Sequence, residues 1–148
     1  MNDKPINQIT AKDIREFNSC PTLGTYQEIA TKSAIYPGQG TAVGLMYASL
    51  KLNGEAGELS EHVGKAMRDD ALVFTTHSPE QASPVAIMGQ LMPERHALIV
   101  KEVGDVLWYL SAICNELGVN LTEAAAINLH KLHDRGNRGV LGGSGDER

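Results

Sequence analysis

The sequence of 148 residues predicts an all-α fold, a bundle of long helices. Apolar residues recur every three or four positions between 98 and 117 and every seven positions from Leu45 to Ala66, which is the spacing of a buried helical stripe. A third segment of the same kind follows Gly118. Few segments alternate in the manner of a strand, so helices are predicted to be the main elements.

The composition is typical of a single globular domain, with 42% hydrophobic residues and too few residues for two ordinary domains. A net charge of −5 argues against a protein that coats nucleic acid, which normally has a basic face. Two cysteines make no disulfide framework, the first ten residues are too polar for a signal peptide, and no apolar run reaches the roughly 20 residues of a membrane helix. We expect a cytoplasmic protein without nucleic-acid or membrane partners.

Residues 1–21 are predicted to be a polar lead-in or a short helix, with Thr10 and Asp13 spaced as a helix start. The next helix begins within 22–25, where Thr25 and Glu28 have the spacing of a capping box. It ends before a Pro-Gly pair that no helix continues through. The main domain is therefore predicted to begin at residue 22.

A long helix is predicted over 41–68, with the Asn-Gly pair at 53–54 as a possible bend. Gly44, Gly57 and Gly64 recur along it. Each glycine lowers helix stability by about 1 kcal/mol relative to alanine, so we expect another helix or a ligand to approach closely at these positions.

The segment 70–93 contains three prolines and does not have the pattern of a long helix. Residues 71–76 and 85–88 are candidate extended segments. We predict an irregular insertion, which is either a flap over a site or a solvated loop.

The helix at 98–117 carries apolar residues on most of its circumference, so we expect it to be largely buried. Its main stripe is formed by Ile99, Val103, Val106, Leu110, Ile113 and Leu117. The last helix is predicted to start at Asn120, a good N-cap with Glu123 three residues on. Its apolar stripe is formed by Leu121, Ala125, Leu129 and Leu132. The main domain ends near 135, and 136–148 is a glycine-rich tail.

Acidic residues interrupt both long helices in pairs. Glu102 and Asp105 are three residues apart, as are Glu55 and Glu58, so each pair lies on one helical face. The simpler interpretation of one such pair is a solvated acidic surface. On two predominantly apolar helices, however, carboxylates are costly unless a cation meets them, which predicts a shared cation site. Oxygen ligands favour Mg²⁺, with Mn²⁺ as a substitute.

Two other details bear on the identity of the cation. His62 lies one turn beyond Glu58 and is a possible further ligand, although a satisfied or surface histidine is the simpler interpretation. A di-iron bundle requires Glu-x-x-His on two helices, and neither acidic pair has a histidine in that register.

The two acidic pairs and their flanking residues resemble the all-α nucleoside triphosphate pyrophosphatases, the MazG-like group. The resemblance is carried by G-E-A-G-E-L, by E-V-G-D-V-L-W-Y-L and by a later N-x-x-K. The resemblance covers roughly 26–148. It implies Mg²⁺-dependent hydrolysis of (deoxy)nucleoside triphosphates to the monophosphate and pyrophosphate, with Glu55, Glu58, Glu102 and Asp105 as metal ligands. It also implies a homo-oligomer, a dimer or tetramer, whose sites are completed by neighbouring subunits.

Several residues are candidates for contact with the substrate, and the N-x-x-K match to the family supports two of them, Asn128 and Lys131. Tyr109 lies on the same helical face as Glu102 and Asp105, one turn further on. The other candidates are Asn128, Lys131, Arg135 and Arg138. Alternatively, the basic side chains are solvated cations at a helix end. The tail, with Asp146 and Arg148, either closes over the nucleotide or is disordered.

Two other functions stay open. One is a phosphoribosyl-ATP pyrophosphohydrolase, a relative in the same superfamily, and the other is a non-catalytic protein that binds nucleotide or a partner protein. No phosphate-binding G-x-x-x-x-G-K-[ST] loop is present, so nucleotide chemistry would depend on metal ions held by helices. The base and sugar preference and the biological pathway are not specified by any motif.

Overall fold

The computed structural model describes residues 8–70 and 91–140. These two ranges contain helices α1 (Ala11–Ser19), α2 (Leu23–Ala30), α3 (Ala42–Asp69), α4 (Pro93–Glu116) and α5 (Leu121–Asn137), with a 3₁₀ turn at Thr31–Ser33. No strand occurs among them, so the all-α prediction is confirmed. The predicted insertion and the glycine-rich tail lie mostly at 71–90 and 141–148, outside the described residues.

Side-chain caps explain where several helices begin. Thr10 and Asp13 form a reciprocal capping box at the start of α1, as their spacing predicts. Asn120 caps α5, also as predicted. The cap of α2 is Thr22, whose hydroxyl oxygen accepts a 3.0 Å hydrogen bond from the backbone N–H of Thr25. The prediction that Thr25 itself starts a capping box is therefore wrong, because Thr25 is already the third helical residue.

The long helices α3 and α4 pack against each other along most of their length and form the centre of the fold. Ala48 on α3 and Ala112 on α4 are completely buried, and their small side chains permit this close approach. Tyr36 joins them in the core, with Tyr47 and Trp108 packed around it. Helices α2 and α5 pack on α4, and α1 packs on α2.

The α3–α4 pair is tied together at both ends. At one end, Arg95 near the start of α4 forms 2.8 and 3.4 Å hydrogen bonds to the carboxylate of Asp70, which caps the end of α3. At the other end, Glu116 of α4 accepts hydrogen bonds from Tyr36 and from the backbone N–H of Gly40. Both contacts lie outside the middle of the helices and leave that part free to form a site.

The glycines of α3 differ in what they do. A Cβ at Gly44 would lie 2.4 Å from the carbonyl oxygen of Gly38 and 2.9 Å from Oε2 of Glu116, so the predicted close approach is confirmed there. A Cβ at Gly57 or Gly64 would have no neighbour within 4 Å in the described part of the chain. At these two positions the prediction is wrong for the single chain.

The predicted burial of α4 is also wrong for the single chain. Within its expected core stripe, Val103 is 50% exposed and Leu117 57%. The face that packs against α3 instead includes Glu102 and Ala112, both buried. Leu129 and Leu132 of the α5 stripe are exposed as well. A pattern with apolar residues on several faces does not show which face contacts another helix of the same chain. None of the described helices is long and apolar enough to cross a membrane.

Candidate metal and nucleotide site

Three carboxylates converge where α3 and α4 pack. Glu55 of α3 and Glu102 and Asp105 of α4 each place one oxygen within 4.8 Å of the others. The side chain of Glu102 is only 3% exposed, whereas that of Asp105 is 45% exposed. The cluster is therefore closed to solvent at Glu102 and open to solvent at Asp105. An open pocket of about 370 Å³ adjoins it, lined by Glu55, Asp105, Trp108 and Tyr109.

One oxygen of Glu102 indicates what this cluster binds. Oε2 of Glu102 is buried and has no hydrogen-bond partner among the described residues. The other oxygen of this carboxylate is paired with Lys101, but a buried acceptor atom left without a hydrogen bond still costs about 1–3 kcal/mol, and more on a charged group. A cation bound between the three carboxylates would satisfy this oxygen, and an all-oxygen ligand set suits Mg²⁺. The residues present thus fit a divalent metal ion.

The fourth predicted ligand does not join the group. Glu58 lies on α3 one turn beyond Glu55 but is exposed, and it is not among the three residues whose oxygens converge. Three of the four carboxylates are thus brought together, and a metal-binding role for Glu58 stays a prediction.

Two lysines accompany the carboxylates, one on each helix. Nζ of Lys51 lies 3.6 Å from Oε1 of Glu55, and Nζ of Lys101 lies 3.0 Å from both Oε1 of Glu102 and Oδ2 of Asp105. Hydrogen bonds to these two carboxylates raise the pKa of Lys101. Sequence reasoning missed both lysines, although each lies four residues before a predicted ligand, a spacing at which helical side chains meet.

Tyr109 is placed as predicted, in the lining of the carboxylate pocket. Its pKa is raised, chiefly because the phenol is shielded from water. The tyrosine in turn is the largest cause of the raised pKa of Lys51. His62 is also nearby, with Nε2 3.8 Å from Oε1 of Glu102. Its Nδ1 is buried without a hydrogen-bond partner in the described ranges.

Trp108 separates the carboxylate pocket from a second, apolar pocket. Its indole N–H donates to the carbonyl of Ala30 and to the hydroxyl of Ser33, which fixes the ring. The second pocket has a volume of about 220 Å³ and is lined by Ile9, Ile14, Phe17, Tyr26, Ile29, Ala30 and Trp108. The charge of Asp105 contributes to the raised pKa of Tyr26 after the larger effect of burial, so the two pockets are close neighbours.

The predicted phosphate-binding residues of α5 lie elsewhere in the single chain. Asn128 and Lys131 are exposed, and α5 packs on α2 and α4. Arg138 donates a 2.9 Å hydrogen bond to Asp134 of the same helix. Neither these residues nor Arg135 are in the lining of the carboxylate pocket, and their contact with substrate stays a prediction.

Comparison with known proteins agrees with this geometry. Residues 47–140, which include the three converging carboxylates, match the MazG nucleotide pyrophosphohydrolase domain. The chain belongs to the MazG family. It is also 37% identical over 126 residues to the Gene 37 protein of Mycobacterium phage L5, in an alignment that covers 83% of this chain and 96% of that protein. No solved structure matches the chain.

Proposed function

We propose that this MazG-family protein hydrolyses nucleoside or deoxynucleoside triphosphates to the monophosphate and pyrophosphate, and that it requires Mg²⁺, which Mn²⁺ can replace. The observation that carries the proposal is the convergence of Glu55, Glu102 and Asp105 around a buried carboxylate oxygen that has no other partner among the described residues. A family of nucleotide pyrophosphohydrolases gives this cation site a triphosphate as its natural substrate.

This reaction consumes one water, breaks the anhydride linkage between the α- and β-phosphates, and releases the monophosphate, pyrophosphate and one proton. A divalent cation would neutralise charge on the triphosphate and activate the attacking water. Glu55, Glu102 and Asp105 would hold the cation, with Glu58, one turn beyond Glu55 on α3, as the fourth proposed ligand. Tyr109 would contact the nucleotide from the pocket lining. Because Asp105 is exposed and Glu102 is buried, the substrate would approach the cluster from the Asp105 side.

We further propose that the protein is a homo-oligomer, a dimer or tetramer, in which α5 of one subunit completes the site of another. Large apolar side chains are exposed on three helices: Met46, Leu50, Val100, Val103, Leu110, Ile127 and Leu129. Exposed apolar surface of this kind is typical of an interface between chains. Asn128, Lys131, Arg135 and Arg138 would then bind phosphate groups at a neighbouring site.

The apolar pocket behind Trp108 is the candidate position for the nucleobase. It adjoins the carboxylate pocket and has aromatic walls from Phe17, Tyr26 and Trp108, on which a base can stack. The substitution Ile14→Gln should raise KM for a nucleotide while the inhibition constant of inorganic tripolyphosphate, which has no base, stays the same. An equal change in both constants would contradict this placement.

A panel of NTPs and dNTPs with Mg²⁺, assayed for pyrophosphate and for inorganic phosphate, tests the activity. Pyrophosphate release by the parental protein and its loss in Glu102→Gln is the expected result. Release of inorganic phosphate would refute the proposed bond cleavage. Phosphoribosyl-ATP belongs in the panel, because preferential hydrolysis of it would favour the related pyrophosphohydrolase. Nucleotide binding without turnover of any substrate would favour a non-catalytic role.

A further inference from the structure

The ammonium group of Lys101 lies between two of the carboxylates that are the candidate metal ligands. It is 3.0 Å from Oε1 of Glu102 and 3.0 Å from Oδ2 of Asp105, so one cation bridges two acidic groups. The rest of the side chain is in solvent, with 64% of it exposed. Lys101 therefore reaches into the cluster from the open side and is not packed in place.

The charges around the cluster do not balance without a further cation. Three carboxylates face the ammonium groups of Lys51 and Lys101, which leaves one negative charge. Lys101 contacts Oε1 of Glu102, while the buried Oε2 has no partner in the described part of the chain. Lys101 thus contacts one oxygen each of Glu102 and Asp105, and Oε2 of Glu102 keeps its capacity to bind a cation.

A metal ion bound through Oε1 of Glu102 and Oδ2 of Asp105, the two oxygens that Lys101 now contacts, is incompatible with the ammonium group in its present position. Mg²⁺ binds carboxylate oxygens at about 2.0–2.1 Å, which would place two positive charges within a few ångströms of Nζ and repel it strongly. The long flexible stem of lysine allows the ammonium group to move without any change in the helix. Because the stem is exposed, the displaced group would remain at the mouth of the pocket.

We propose that Lys101 is a substrate-binding residue that exchanges partners: it bridges Glu102 and Asp105 in the metal-free protein, is displaced from them by the divalent cation, and then binds the triphosphate. This inference rests on the proposed function, since it requires the carboxylates to hold a metal and the pocket to hold a nucleotide. It adds a positive charge from α4 itself to those expected from α5.

Amine labelling of the full-length protein tests the exchange directly. The rate at which an acylating reagent modifies Lys101, measured by peptide mass spectrometry, should rise at least about two-fold on addition of Mg²⁺, because the ammonium group loses its carboxylate partners. A non-hydrolysable triphosphate should lower it again. Lys65 is the internal control. It lies about 15 Å along α3 from Glu55 and pairs with Glu61, so its labelling rate should not change. An unchanged or lower rate at Lys101, in a protein whose melting temperature shows that it has bound Mg²⁺, overturns the exchange.

Metal titration of variants gives a second, independent measurement. Lys101→Met should bind Mn²⁺ about two- to five-fold more tightly than the parental protein, because no resident ion pair has to be broken, and should have a higher KM for the nucleotide. Lys65→Met removes the same charge elsewhere on the surface and should leave both values unchanged. Equal or weaker Mn²⁺ binding by Lys101→Met would overturn the proposal, since Lys101 would then support the ligands.

The two proposals fail in different ways. A parental protein that binds Mn²⁺ and shows the rise in Lys101 labelling, yet hydrolyses no nucleotide, would refute the proposed activity and support displacement by the metal. A protein that hydrolyses nucleotide without any response at Lys101 would refute the exchange alone. A parental protein that binds no divalent cation overturns both.

Discussion

The phenol of Tyr36 donates a 2.5 Å hydrogen bond to Oε1 of Glu116, across 80 residues of sequence. The ring is buried, and the same carboxylate accepts from the backbone N–H of Gly40 through its other oxygen. This contact joins the segment before α3 to the C-terminal end of α4. It holds one end of the helix pair that carries the candidate ligands.

The first prediction concerns this contact. Tyr36→Phe should lower the free energy of unfolding by about 1.5–3 kcal/mol, the usual range for a hydrogen bond to a charged group, as measured by denaturant unfolding. Tyr47→Phe is the matched control, because Tyr47 stacks on Tyr36 with ring centroids 5.7 Å apart and the substitution preserves that ring. An equal loss in both variants would mean that the Glu116 bond contributes little.

The second prediction concerns the carboxylates. Glu55→Gln and Asp105→Asn should each lower kcat/KM by at least about 100-fold, the upper end of what loss of a supporting contact costs a metal site. The metal-free melting temperature should hold or rise, since one charge leaves a crowded acidic cluster. Glu61→Gln is the control on the same helix, with an exposed side chain paired to Lys65. Near-parental turnover in either cluster variant would refute the metal assignment.

The third prediction concerns metal binding and stability. Mg²⁺ at one hundred times its dissociation constant should stabilise the parental protein by about 2.7 kcal/mol, because it binds the native state. The rise in melting temperature should be lost in Glu102→Gln and retained in Glu61→Gln. A melting temperature that does not change with millimolar Mg²⁺, with or without a non-hydrolysable triphosphate, would count against a site formed in the native fold.

The fourth prediction concerns the shared site. If α5 serves a neighbouring subunit, then Glu102→Gln and Lys131→Ala should each be inactive alone, while mixed oligomers of the two should regain part of the activity. The regained activity arises because some sites combine an intact carboxylate cluster with an intact Lys131. Mixing Glu102→Gln with Asp105→Asn is the control, as both lie in one cluster. No gain in the first mixture would place Lys131 outside the neighbour's site.

The fifth prediction concerns the tail. Deletion of 141–148 removes neither α5, which ends at Asn137, nor the backbone hydrogen bonds from Gly139 and Val140 that close its last turn, so the melting temperature should hold. If the tail closes over the nucleotide, KM should rise and discrimination among bases should weaken, while the carboxylates still bind Mg²⁺. Steady-state kinetics on several nucleotides measure this. Unchanged efficiency on every substrate would remove Asp146 and Arg148 from the candidate residues.

Sequence patterns were sufficient for the long helices and for the three carboxylates that converge, because both depend on local spacing. The apolar repeats locate α3, α4 and α5, and the pairs at 55/58 and 102/105 stand out as charges on apolar helices. The partner of each helical face is not a local property. Val103 therefore looked like a core residue and is half exposed in the single chain, while Glu102 is buried against α3.

The positions of Lys101 and Glu58 relative to the carboxylate cluster could not be predicted for a similar reason. A lysine four residues before an aspartate is an ordinary surface pair on a helix, and only the packing of α3 against α4 makes Asp105 part of a three-carboxylate group. In the same way, Glu58 has the correct spacing from Glu55 but an exposed position. Both positions depend on how the two helices are rotated about their axes relative to each other. The spacing of residues within one helix carries no information about that rotation.

The ion pair between Arg95 and Asp70 has a consequence for how this protein tolerates change. It joins Asp70, the C-terminal cap of α3, to the first turn of α4, so the residues that flank the segment 71–90 are held close to each other. We therefore expect the positions of the three carboxylates not to depend on the length or composition of that segment. The segment should accordingly be replaceable, so that a loop of another length or an inserted peptide leaves the shape of the carboxylate site unchanged.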